Sequence, residues 1–500
     1  MFDKLFPFFL VAVLAVLALA PAGCAGNGGS GGDDDTADDD AAVDDDTVDD
    51  DADDDTTPGD FVATLVTNPI CEISCVVSWT TDQPASSWVE FGVVGQGYSY
   101  QIGSDDLTTA HQVIVIGMHA DQWYQLQAVS RTGKSAELRS QEMTFQAGSL
   151  PVEWLSTHVD VYNATKAQDG WTITNLNTGT MDGPLAAAIF DMNGEPVWYY
   201  IPSGETARVD MEVHLVENEK YVVIGPAVAK YKHPFKMDLQ GNIVWEGPVQ
   251  LGGGFSENGT MHHVFHELDN GDYVLTKIDQ HGTTQGDWVQ EIDPALNILW
   301  SWDTWQHLPA PGPVPAGDWT HVNTVFFDFD NGFAYINCWG ISTFFKIAMD
   351  TGNVIWAFGD GGDFAPDPNA EYPWVGGGHG VDSLGNGNFL FYDNGGIMRG
   401  FSRAIIYHLN EDTMQSTIVW EYQGQDETDQ WFNLSLGDAD QLENGNILIT
   451  AGNGVQQSPS RFIEVTPAGE KVWQCWLYTQ PETAISSFQA DRIPALATPL

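Results

Sequence analysis

The sequence predicts an all-β chain, with a six-bladed β-propeller over residues 150–500 and a small β-sandwich before it over residues 61–149. Three observations predict it. A polar residue, a short turn and an apolar pair ending in tryptophan recur six times, closing on Trp198, Trp245, Trp300, Trp356, Trp420 and Trp473. Between these copies fall six hairpin-turn signals, near Asp169-Gly170, Asn218-Glu219, Asn270-Gly271, Asn331-Gly332, Asn386-Gly387 and Asn444-Gly445. Two alternating hairpins per unit make four strands per unit. Apolar stripes of helical period are scarce, while the chain carries 19 Trp and 52 Gly, so helix is a minor component.

Taken in order, the chain opens with an export signal over residues 1–24. Lys4 is followed by an apolar run from Leu5 to Ala20, which is short for a membrane span. Pro21-Ala22-Gly23-Cys24 resembles a bacterial lipobox, which implies lipidation of Cys24 and attachment to a membrane. Residues 25–60 contain Asp triplets spaced by Thr, Ala and Val. Their mutual repulsion predicts a solvated tether, and they lack the Gly turn and terminal Glu of a calcium loop. Residues 61–149 hold six short β-rich runs: 61–67, 75–79, 88–93, 112–116, 123–130 and 143–146. The runs Val76–Gly92 and Trp123–Val129 resemble a fibronectin type III domain, with Trp79 and Trp88 as core residues.

Composition narrows the partners. A formal net charge of −53, from 70 acidic against 17 basic residues, excludes nucleic acid, which needs a basic surface. Beyond Cys24 the cysteines are Cys71, Cys75, Cys338 and Cys475. Export permits disulfides among them, and none has zinc-site spacing with a nearby histidine.

The candidate chemistry lies in three histidines. His321 stands 58 residues after His263, and His379 stands 58 after His321, each just ahead of an Asn-Gly hairpin. In a propeller the first strand of each blade lines the channel, so the three should converge at its mouth. His262 and His266 flank the first, and Asp318-Trp319-Thr320-His321-Val322-Asn323 surrounds the second with polar groups and an aromatic wall. Three histidines can bind zinc, but no acid stands nearby to activate a water, so no metal or other cofactor is expected.

Residues 150–497 resemble the bacterial arylsulfate sulfotransferases. The resemblance rests on Asp318–Asn323, on His379-Gly380-Val381 with Gly385–Leu390 and Asp393-Asn394-Gly395, and on Phe401–Ala404. Gly437–Asn446 and Arg492-Ile493-Pro494 extend it. It implies a six-bladed propeller that moves a sulfuryl group from a small phenolic sulfate ester to a phenol. By the same resemblance, His379 becomes transiently sulfated, with His263 and His321 supporting it and Asn323 and Trp319 at the substrate. One position departs from the pattern: the family's pocket arginine falls at Trp339, leaving Arg399 as the nearby guanidinium. The alternative is a non-catalytic surface propeller that binds a small ligand or glycan.

Overall fold

A computed structural model describes residues 60–133, 136–151, 156–177, 185–201, 212–216, 220–225, 234–248, 259–309, 317–426, 428–452, 460–478 and 485–500. The signal segment, Cys24, the tether and the Asn218-Glu219 turn lie outside them. Among the described residues no helix is long and apolar enough to cross a membrane.

Six antiparallel sheets form the blades of a propeller, so the all-β, six-bladed architecture is as the repeats predict. Blades two to five each take four consecutive strands, which begin with Val213–Val216, Met261–Glu267, Val322–Asp328 and Gly378–Gly385. Blade six begins with Asp438–Gln441. These first strands touch one another from blade to blade and line the channel.

Ring closure differs from a plain repeat. Blade one is completed by the C-terminal strand Ala490–Ile493, which pairs with Trp171–Asn177 as the innermost strand. Asp169-Gly170 is therefore the entry to a second strand rather than a hairpin. Ser156–Tyr162 in turn adds a fifth, outermost strand to blade six through Lys471–Tyr478. Both ends of the propeller are thus tied across the same seam. Arg492 and Glu464 cross it as a fully buried ion pair at 3.3 Å.

The repeated tryptophans weld neighbouring blades. All six lie on the fourth strand of a blade, and five indole N–H groups donate to a turn carbonyl of the next: Trp198 to Leu239, Trp245 to Pro294, Trp300 to Met349, Trp420 to Pro467 and Trp473 to Met192. The last of these bonds, at 2.8 Å, joins blade six to blade one. Each contributes about 0.5–1.5 kcal/mol beyond burial of the ring. The Trp356 indole nitrogen is buried with no partner.

Residues 60–149 form a seven-stranded antiparallel sheet together with the C-terminal Thr498–Pro499. The expected runs 75–79 and 88–93 are one bent strand, Cys75–Val93, whose register breaks between Thr80 and Ala85. Trp79 is core, donating to Ser130 Oγ at 2.8 Å. Trp88 is not; it is half-buried and its indole N–H reaches Asp105. This sheet shares one apolar core with blades one, two and six, and Asn68 Nδ2 donates to the Leu239 carbonyl at 2.9 Å. All four described cysteines are buried free thiols, and burial pushes Cys71 up to about 11.

Candidate functional site

Three innermost strands bring the predicted histidines together. His263 lies within Met261–Glu267, His321 just before Val322–Asp328, and His379 within Gly378–Gly385. Each strand slips its pairing register here, between Met261 and Phe265, Val322 and Thr324, and His379 and Val381. The backbone is left-handed at His263 (φ 56°), His321 (φ 50°) and Gly380 (φ 47°). For a non-glycine residue that costs about 1–3 kcal/mol, and bulges of this kind re-aim side chains. The His263 ring centroid lies 4.3 Å from His321 and 6.1 Å from His379.

A hydrogen-bonded chain runs through the imidazoles. His262 Nε2 lies 2.8 Å from Asp287 Oδ1, and His262 Nδ1 lies 2.9 Å from His263 Nδ1. His263 Nε2 lies 3.1 Å from His321 Nε2, and His321 Nδ1 meets Asp318 Oδ2. Each of these four links needs one proton, so three rings share four protons, one more than neutral rings carry. Burial, with His321 beside it, holds His263 well below its ordinary value. Burial opposes protonation of His321 too, but the Asp318 carboxylate outweighs it and raises His321. The excess proton therefore rests on His321.

His379 is of the opposite kind. It is buried, and burial together with the His321 charge pushes it down to about 3. Leu436 N–H donates to its Nε2 at 3.3 Å, which places the lone pair there, while Nδ1 is buried without a partner. A neutral imidazole is the nucleophilic form, and here the long Leu436 bond holds the lone pair that would attack.

The other predicted residues divide. Asn323 Nδ2 donates to the Gly378 carbonyl at 2.9 Å, and Asn337 donates to the same carbonyl and to Asn323 Oδ1, so the pair positions the backbone that carries His379. The Trp339 ring lies 5.2 Å from His321, and its buried indole N–H has no partner. Gly377 (φ 62°) makes room for it, since a Cβ there would sit 2.9 Å from the indole nitrogen. Trp319 packs against Trp305 at 4.9 Å in the core between blades. Arg399 is committed elsewhere: it ion-pairs with buried Asp393, which also takes Arg403, and donates to the Phe401 carbonyl. Asp287, Asn337 and Phe488 carry no sequence signal of their own. The Phe488 ring touches both His263 and His379, at 5.7 and 5.6 Å.

Phe488 also borders a cavity of about 900 Å³ inside the channel. Its charged lining is Glu212, His214, His266, Glu267, Asp269, Asp382, Asp438, Asp440 and Asp491, with no Lys or Arg among the described residues. Burial, followed by neighbouring carboxylates, raises Asp438 and Asp440 well above their usual range and Asp382 to about 6. Such a cavity repels sulfate esters. The three catalytic candidates do not line it.

Bulged inner strands thus converge neutral and charged histidines on the channel of a six-bladed propeller. Residues 157–483 match the arylsulfotransferase (ASST) family, and the chain belongs to it. No curated protein matches the chain. Among solved structures it is similar to a protein of unknown function from Bacteroides caccae, at 13% identity and a TM-score of 0.41, covering 64% of this chain and 99% of that one. It is also similar to a putative 6-phosphogluconolactonase from Bacteroides fragilis, at 12% identity and a TM-score of 0.33, covering 83% and 99%.

Proposed function

We propose that this protein is an exported aryl sulfotransferase that works by a ping-pong route through sulfated His379. The reading rests on one observation above the rest: a neutral, buried His379 packed beside a histidine chain that carries one excess proton. Released from the Leu436 N–H, His379 Nε2 attacks sulfur, and the N–S bond forms as the bond from sulfur to the aryl oxygen breaks. The departing phenolate takes the proton held on His321. An acceptor phenol then attacks the same sulfur, the N–S bond breaks, and the acceptor's proton refills the chain. Proton transfer of this kind contributes about 10²–10⁴-fold, most for the poorest leaving groups. The unpartnered Trp339 N–H is a donor for a sulfuryl oxygen where the family has an arginine.

Lipidation at Cys24, a tether over residues 25–60 and a fibronectin-like module over 61–149 complete the proposal, displaying the propeller away from a membrane. The test is incubation with 4-nitrophenyl sulfate and a phenol acceptor, with intact-mass analysis after donor alone. Wild type should gain one sulfuryl group and transfer it, and His379→Ala should do neither. Equal nitrophenol release by both would favour the ligand-binding alternative, to which the exchange of arginine for Trp339 also points.

A further inference from the structure

The acidic cavity is not used by the sulfuryl chemistry, and among the described residues its walls hold one set of side chains with mixed nitrogen and oxygen donors. Glu212, His214 and His266 come from the inner edges of blades two and three. One donor atom of each lies within 4.8 Å of the other two, and all three residues line the cavity. Glu212 Oε2 is 3.5 Å from His214 Nε2 and 3.1 Å from His266 Nδ1. Three ligands at about 2.0–2.1 Å around a tetrahedral ion stand about 3.4 Å apart, and those two separations bracket that value.

The surroundings fit a cation in two further ways. His214 Nδ1 lies 2.9 Å from Asp491 Oδ2, the carboxylate contact that orients metal-ligating rings, while its Nε2 faces Glu212 Oε2 at 3.5 Å and the displaceable Gln489 amide nitrogen at 3.0 Å. Phe265 N–H donates to Glu212 Oε2 at 3.0 Å, anchoring the carboxylate and leaving a second lone pair on that oxygen. Beside these ligands, Asp438, Asp440 and Asp491 bring one oxygen each within 4.8 Å of one another, and Asp440 Oδ2 is buried without a partner. The cavity's carboxylates outnumber its two histidines, and among the described residues no Lys or Arg lines it, so it gains from added positive charge.

We propose that Glu212, His214 and His266 bind a divalent transition-metal ion of the zinc class in the channel, with Asp491 orienting His214. Two imidazoles and a carboxylate suit zinc, and the open cavity leaves a fourth position for water or a small ligand. Sequence spacing hides this site, because the ligands sit on different blades. The inference is independent of sulfuryl transfer.

The experiment strips the full chain with a chelator and titrates it with zinc chloride, then with cobalt chloride. Wild type should retain one zinc per chain through gel filtration and give the intense visible bands of four-coordinate cobalt. The aspartate tract of residues 33–55, which would hold cobalt as a weakly absorbing six-coordinate ion, cannot mimic that signal. His266→Gln and Glu212→Gln should each weaken zinc binding more than tenfold, with near-ultraviolet dichroism confirming the fold. Should Glu212→Gln misfold, His266→Gln decides alone, since His266 is half-buried at the cavity wall. Equal zinc content in wild type and His266→Gln, or a wild type with no intense cobalt bands, overturns the proposal; the three residues are then a hydrogen-bonded ion cluster only.

Discussion

Asp287→Asn tests whether the histidine chain works as a unit. Asp287 is 1% exposed, and its oxygens accept from His262 Nε2 on one side and from Thr320 Oγ1 and Val322 N–H on the other. Asparagine keeps the volume but turns one acceptor into a donor. Facing Val322, the amide would oppose a backbone N–H that cannot move. Facing His262, it is accommodated by moving one ring proton from Nε2 to Nδ1, so this orientation wins. The reversal then runs through His263 to His321, and three rings share three protons instead of four. Loss of the charge-assisted bonds lowers stability by about 2–4 kcal/mol. Loss of the excess proton should lower kcat/KM for phenyl sulfate about 10²-fold, but less than about tenfold for 4-nitrophenyl sulfate, whose leaving phenolate needs no proton. Chemical denaturation and steady-state kinetics on the two donors measure both effects. An equal loss on the two donors, or none, would refute the shared-proton chain.

Trp339→Phe removes the unpartnered N–H together with one ring of the half-buried indole; loss of the donor should cost about 1 kcal/mol of transition-state binding, about fivefold in kcat/KM, with the fold retained in a thermal melt. For pH, the cation on His321 is present below its raised pKa and lost as pH rises through it, so activity falls on the alkaline side. Asp318→Asn removes the cause of that rise and should move the fall to lower pH. His379, at about 3, stays neutral across this range and adds no acid limb near neutrality. Arg492→Met leaves Glu464 buried and unpaired at the seam and should cost about 3–5 kcal/mol, read from denaturant midpoints.

Much of this molecule was legible because its repeats are local. Trp198 to Trp473 mark fourth strands, since a large ring ending a short hairpin is visible in a window of eight residues. The seam was not legible. Ala490–Ile493 pairs with a strand more than 300 residues earlier, and nothing nearby distinguishes it from any short strand. The spacing of His263, His321 and His379 gave the right convergence. Asp287 escaped because it reaches the site from a third strand, on which its neighbours follow ordinary strand patterning. Arg399 was a reasonable candidate by proximity in sequence. Two arginines on one buried Asp393 show why proximity misleads: the carboxylate claims the charge first.

With Trp339 at the family's arginine position, as proposed above, the site would use a different kind of positive charge. A guanidinium stabilises sulfuryl oxygens without ever giving up its proton, whereas the cation on His321 can be handed to a leaving group. The two charges also compete. The Trp339 ring is 5.2 Å from His321, so Trp339→Arg would set a permanent cation against the excess proton. The variant should therefore lose its alkaline activity at lower pH than wild type. It should also gain on 4-nitrophenyl sulfate, which benefits from fixed charge, while losing on phenyl sulfate, which needs the proton. pH profiles on both donors give the answer. A Trp339→Arg enzyme that improves on both donors with an unmoved alkaline limb would mean that the histidine chain is not the source of the leaving group's proton.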